Sequence, residues 1–176
     1  MKCRIFIGCL ALLGLLPALS GCGYSFAPLH PTQYKTVCAP MWTRGKEVYR
    51  RGLEMRITEA VQKRIEGFTP YRLASRARAD TELTGSLDQV VQRPLSMNPD
   101  TNRPWEMAVT FVVSFKWVDI AHGGRVLVER HNFRVAGTYY PIAPLNEDFF
   151  LGAQDVIDKL ARRVVEEMEV PFTREK

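Results

Sequence analysis

The sequence predicts an α/β protein of the α+β two-layer kind, a four-stranded mixed sheet with two helices packed on one face. Three observations carry that prediction. Between Val48 and Glu66, apolar side chains recur at a helical period. Glu106–Asp119 is an almost unbroken apolar run, followed by a glycine turn and a second extended stretch. A second, wider helical stripe then runs from Phe149 to Met168. The chain order is therefore β-α-β-β-β-α, and one face of the sheet must bury both stripes.

The first 21 residues stand outside that domain. Lys2 and Arg4 make a short basic start, and Ile5–Leu16 is apolar apart from Gly8 and Gly14. Such a run is too short to span a bilayer and has the length of a signal-peptide core. Leu19-Ser20-Gly21-Cys22 then sets a branched apolar residue and two small ones before a cysteine. This resembles the lipobox of bacterial lipoproteins, in which the cysteine is acylated and the chain is cut just ahead of it. The resemblance implies cleavage after Gly21, an N-acyl and S-diacylglycerol lipid on Cys22, and anchoring to a membrane. Each buried acyl methylene contributes about 0.8 kcal/mol, so two or three chains hold durably where one does not. Gly23 stands where an aspartate would imply retention in the inner membrane, so the expected location is the periplasmic face of the outer membrane.

Removal of residues 1–21 lowers the formal net charge from +5 to +3, because Lys2 and Arg4 leave and no acid does. That balance, without a run of like charges, does not argue for nucleic acid. Cys3 and Cys9 leave too, and Cys22 is consumed by lipid, so Cys38 is the remaining thiol and reads as a small buried hydrophobe.

Residues 22–34 mix Gly, Pro and aromatics without period and read as a lipidated tether; the domain is expected over 35–176. Lys35–Pro40 is β-branched and stopped by proline, which suits a strand. Tyr49, Leu53, Ile57, Val61 and Ile65 are the first helical stripe, with Gly67 at the expected stop. Leu83, Gly85, Leu87 and Val91 alternate with polar residues, as in a half-buried strand. Arg93–Pro104 is polar and proline-bounded, which predicts a loop. In the apolar strand, Phe111, Phe115 and Trp117 share one face, and Val112 and Val118 the other. Ala121-His122-Gly123-Gly124 supplies a hairpin turn to Arg125–Tyr139, where Arg130 and Arg134 are expected on one face and His131, Phe133 and Val135 on the other. Asn146 is the expected N-cap of the last helix.

No catalytic constellation emerges, and the chain does not read as an enzyme. His30, His122 and His131 lack a second ligand at metal spacing. Ser86 and Ser114 do not stand in a nucleophile elbow. The carboxylates of Asp155, Asp158, Glu166 and Glu167 sit on the polar side of a helix. No resident cofactor is expected beyond the lipid. The arginines are more informative. Arg72, Arg76 and Arg78 follow the first helix, Arg93 and Arg103 flank the long loop, and Arg134 lies on the returning strand. Guanidinium groups converging on one rim suit bidentate contacts to phosphates; Arg93, Arg103 and Arg134 are the candidates for lipopolysaccharide or partner contact.

Cys22-Gly23-Tyr24-Ser25-Phe26, the phrases LEMRITEAVQKRI (Leu53–Ile65) and ADTELTGSL (Ala79–Leu87), and the hairpin WVDIAHGGRVL (Trp117–Leu127) are together similar to the LptE family. The order of elements matches as well, and the likeness runs from Cys22 to about Met168. The resemblance implies an outer-membrane lipoprotein that assists assembly of an LptD-like β-barrel, plugs it, and contributes to insertion of lipopolysaccharide. It carries over no ligand residue, because the family's basic contacts match no particular positions here. Two other classes fit the same residues. One is a general outer-membrane adaptor, such as a pilot or a subunit of another envelope machine. The other is a small envelope enzyme or carrier, which requires a deep pocket with convergent polar groups.

Overall fold

The computed structural model describes residues 29–142 and 145–169. The signal segment, the cleavage site at Gly21 and the acylated Cys22 lie outside the described residues. Six strands and two helices follow in order: β1 (Thr36–Cys38), β2 (Thr43–Arg44), α1 (Leu53–Phe68), β3 (Arg72–Leu73), β4 (Thr81–Met97), β5 (Pro104–Asp119), β6 (Arg125–Tyr139) and α2 (Phe149–Glu166). The sheet order is β3-β1-β4-β5-β6, with β2 beside β4 further along the edge that β1 occupies. The short strands are parallel to their neighbours, and β4, β5 and β6 are antiparallel. The sheet is thus mixed and carries two helices, as expected, but has six strands rather than four. β2 and β3 are two-residue pairings, too short to leave a periodic signal in the sequence.

The core forms where the predicted stripes meet the sheet. Leu53, Ile57, Val61 and Ile65 of α1, and Ala153, Val156, Leu160 and Val164 of α2, are fully buried together with Val109, Phe111 and Val113 of β5. Tyr49 does not join them: it is 91% exposed and precedes the helix, which starts after Gly52 in the left-handed region (φ 87°). Gly67 does not end α1 either. The helix runs to Phe68, and Thr69 closes it with both its N–H and its hydroxyl on the Ile65 carbonyl (3.1 and 2.7 Å). The N-cap of α2 is Asp148, which accepts from Leu151 N–H at 2.9 Å; Asn146, the expected cap, sits two residues earlier at φ 47°. Packing begins before Lys35. His30 lies edge-on to Tyr71, and Tyr34, 3% exposed, donates to Asp119 at 3.0 Å across the sheet.

Bulges set which side chains face the helices. A register shift between Leu87 and Gln89 moves Val90 to the helix side opposite Phe111, and turns Val91, expected in the core, to the other face. A second shift, opposite Val113 and Phe115, contains Asn132 at φ 53°. It separates Arg130 from Arg134, which plain alternation places together. Arg130 reaches α2 and pairs with Glu167 at 2.6 Å, whereas Arg134 points to the opposite face beside Val112. The predicted loop at Arg93–Pro104 is half strand: β4 continues to Met97, β5 begins at Pro104, and only Asn98–Arg103 forms the turn. Asn98 Oδ1 holds that turn by accepting from Asp100 and Thr101 N–H. Pro94 is tolerated because this end of β4 is a sheet edge, where a missing N–H costs no ladder bond.

Candidate functional site

With both helices on one face, the other face of the sheet is uncovered among the described residues. Its proximal half, nearest β1 and β2, holds a shallow groove of about 490 Å³ lined among others by Arg76, Glu82, Lys116, Glu129 and His131. These charges answer one another: Arg76 meets Glu82 at 3.2 Å, and Glu129 takes Lys116 at 3.9 Å and His131 at 3.5 Å. Asp88, at the β4 bulge, accepts from both Ser86 Oγ and Ser114 Oγ at 2.6 Å. No imidazole is hydrogen-bonded to either serine among the described residues.

Beyond Asp88 the face changes character. Gln89, Val91 and Arg93 from β4, Ala108, Thr110 and Val112 from β5, and Arg134 from β6 line a depression of about 200 Å³. Small side chains on the central strand make its floor, and the two arginines stand on opposite walls. Arg93 pairs in register with Ala108, and Arg134 with Val112. Four residues along β5 and two strand spacings across put their Cα atoms roughly 16 Å apart. Neither arginine forms an ion pair among the described residues. Arginine side chains at that spacing can reach inward to two anionic groups of one ligand. The structure therefore brings Arg93 and Arg134 to one depression. Arg103 stands apart at the hairpin turn, where its carbonyl accepts from Asn98 N–H at 2.8 Å. Arg76 belongs to the neutralised groove, so the arginines do not all converge on one rim.

One feature of this end escapes pattern reading. Leu95, Met97 and Trp105 are 56%, 46% and 49% exposed on the projecting β4–β5 hairpin. They fall in or beside the segment whose prolines and polar residues read as loop, which hid the strand alternation. Cys38 is buried as expected, and burial together with the neighbouring Glu82 raises its pKa while Arg76 partly opposes them. Burial likewise lowers the pKa of His30, with Glu169 opposing. Among the described residues no group of three or more His, Cys, Asp or Glu side chains is placed to hold a metal. Nor is any helix long and apolar enough to cross a membrane.

No family model matches the sequence. No curated protein matches it either. Solved structures do. A lipoprotein B of Nitrosomonas europaea superposes with a TM-score of 0.55 at 13% identity, over 82% of this chain and 89% of that one. A hypothetical protein of Chlamydia trachomatis gives 0.52 at 10% identity, over 77% and 98%. The fold is shared. At these identities the likeness is one of architecture, extends over nearly the whole of each neighbour, and includes a protein named as a lipoprotein. No catalytic family is indicated by either.

Proposed function

We propose that the chain is an outer-membrane lipoprotein, acylated on Cys22, whose domain docks with an LptD-like β-barrel that translocates lipopolysaccharide. In this reading it helps the barrel assemble, plugs its lumen, and contributes to lipopolysaccharide insertion from the periplasmic face. The observation that carries the reading is the split open face, with ion pairs in its proximal half and a distal half where Arg93 and Arg134 form no ion pair among the described residues, beside an exposed apolar hairpin. Unpaired arginines over a floor of small side chains suit the phosphates of a lipopolysaccharide head group, and Leu95, Met97 and Trp105 suit apolar surroundings. The lipid anchor would hold the domain at the membrane, so that docking becomes effectively intramolecular. The shared fold with a named lipoprotein, and the lipobox-like Leu19–Cys22, support the envelope location.

The test is depletion combined with capture. Depletion should lower the level of one large outer-membrane barrel, and a C-terminally tagged protein should retain that barrel through a high-salt wash, since enclosed contacts are poorly screened. Arg93→Glu with Arg134→Glu should weaken lipopolysaccharide binding at least tenfold, about 1.4 kcal/mol, while leaving the melting temperature near wild type. Recovery of the protein alone, with barrel levels unchanged on depletion, would leave the general adaptor as the better reading. A palmitate analogue should label wild type and not Cys22→Ala.

A further inference from the structure

Formal charge is divided unevenly between the two sides of the sheet. Residues 35–78, which include β1, β2, α1 and β3, carry eleven Lys and Arg against four acids. Residues 79–169, which include β4, β5, β6 and α2, carry nine against fourteen. The sheet order sets β3 and β1 at one margin, with β2 beside β4 on that side, and β6 at the other. The division in sequence is therefore a division in space, with formal charges of +7 on the β1–β3 flank and α1 and −5 on the remainder. Such an asymmetry between two parts of one chain points to a polyanionic surface as partner.

The positive charge is free to act outward. Lys35, Arg44, Lys46, Arg51, Arg72 and Arg78 are exposed. The ion pairs that this flank forms among the described residues are Lys63 with Glu59 and Arg76 with Glu82, so those six stand outside them. Met41, Tyr49 and Phe68 are exposed on the same elements and connections, and an amphipathic ring such as that of tyrosine suits the boundary between headgroups and water. The chain also arrives on this side. His30 packs edge-on against Tyr71, the Tyr71 hydroxyl donates to the Pro31 carbonyl at 3.3 Å, and Arg72 N–H donates to the Lys35 carbonyl at 2.9 Å. Residues 30–35 thus run beside Tyr71 and Arg72, where β3 forms the margin of the sheet.

We infer that this flank rests on the anionic phosphate headgroups of the glycerophospholipid leaflet that holds the acyl chains of Cys22, with β6, at the opposite margin, turned away. Reach and charge choose the occupant together. Eight residues separate Cys22 from His30 and extend to roughly 28 Å at most, so the β3 margin stays close to its own leaflet. β6 lies four strand spacings away, roughly 19 Å further across the sheet. Each Lys or Arg held near an anionic leaflet favours the contact by about fivefold, within a Debye length of about 10 Å. Phosphate headgroups also present oxygen pairs that a guanidinium engages with two N–H groups at once. Only the acylation of Cys22 is taken from the proposed function. No barrel is required, and the flank is distinct from the depression that Arg93 and Arg134 line.

Headgroup quenching decides it on the full-length acylated protein in vesicles. Ser75→Cys and Ala136→Cys each place one fluorophore at an exposed position, on opposite margins of the sheet, while Cys38 is buried and stays unlabelled in the folded protein. The vesicles are phosphatidylcholine, with or without phosphatidylglycerol, and carry a nitroxide on a fraction of their headgroups. With phosphatidylglycerol the label on Ser75→Cys should be quenched several-fold more than that on Ala136→Cys. The contrast should vanish at high salt and in phosphatidylcholine alone. Equal quenching, stronger quenching on Ala136→Cys, or a contrast indifferent to salt and lipid charge overturns the proposal. Arg44→Gln, Lys46→Gln and Arg72→Gln together should disfavour the contact by about 100-fold and erase the contrast. Retained contrast in that folded variant also overturns it, and if the variant does not fold, the salt and lipid arms on the unaltered flank still decide. If Cys22 takes no palmitate label the anchor falls by itself, and the flank is judged by whether the unacylated protein binds phosphatidylglycerol vesicles with the same contrast. A barrel recovered on capture without the contrast leaves the barrel reading standing and this one fallen; the contrast without a recovered barrel does the reverse.

Discussion

Replacing Leu160 by alanine tests the packing of α2 onto the sheet. Leu160 has no exposed surface and sits in the same core as Phe111, Val113 and Val135. The substitution removes three methylene-sized groups, about 2.4 kcal/mol of transfer free energy at about 0.8 kcal/mol each. The hole they leave adds to that. If about 60 Å³ stays unfilled, the cavity costs about 1.4 kcal/mol more at about 24 cal/mol per Å³. The expected loss is therefore about 3–4 kcal/mol. In a domain of this size 1 kcal/mol moves the melting temperature by roughly 3–5 °C, so a fall of about 10–15 °C should appear in a thermal melt followed by circular dichroism. Phe111→Ala, from the facing layer, should cost about 3–5 kcal/mol for the same reason. Asp158 provides the control: it is exposed on the opposite side of the same helix, and Asp158→Ala should stay within about 0.5 kcal/mol of wild type. Falls of less than about 2 °C for both core variants would refute the sheet–helix packing, because no relaxation fills two such sites at once.

Other perturbations probe particular contacts. Gly85 faces Trp42, whose ring would lie 2.5 Å from an added Cβ, so Gly85→Ala should destabilise by about 1–3 kcal/mol, read from a chemical denaturation midpoint; a neutral result would mean that the indole is free to move. Burial pushes the Asp119 carboxyl up, but hydrogen bonds from His122 N–H, the Tyr34 hydroxyl and the His122 ring more than offset this and hold it below its ordinary 3.8. A group with a depressed folded pKa stabilises above its unfolded value and loses that contribution as pH falls through the folded one. Wild-type stability should thus drop below about pH 4, and Asp119→Asn should flatten that part of the profile; parallel profiles would remove the Tyr34–Asp119 clasp from the account. Buried Cys38, with its raised pKa, should react with a thiol-specific reagent at pH 8 far more slowly than after unfolding in denaturant, and equal rates would contradict its burial.

The sequence and the structure part company at two bulges, and the candidate site depends on both. Helical stripes are legible because burial repeats at a fixed period over four or five turns, and one misplaced member, such as Tyr49, leaves the rest intact. Strand alternation is less robust, since a single inserted residue reverses every side chain beyond it. Alternation carried through Asp88 sends Val91 to the core and leaves Arg93 in a loop; the shift at Asp88 puts Val90 in the core and lines up Gln89, Val91 and Arg93 on the open face. Alternation carried through Asn132 keeps Arg134 with Arg130, yet the structure gives Arg130 to Glu167 at the end of α2 and leaves Arg134 on the far face without an ion pair among the described residues. Both arginines were therefore recognisable as candidates by residue type, but their meeting at one depression was not, because it requires two local irregularities in different strands to place them on the same side. The signals that betray such irregularities are weak: an Asp flanked by polar residues at 86–89, and an Asn at 132 that tolerates positive φ. That the two bulges act together to expose two arginines that form no ion pair among the described residues is a physical reason for function there. Unpaired charge held by irregular strands contributes little to the fold, whereas Arg76, Lys116 and Arg130 are all answered by acids.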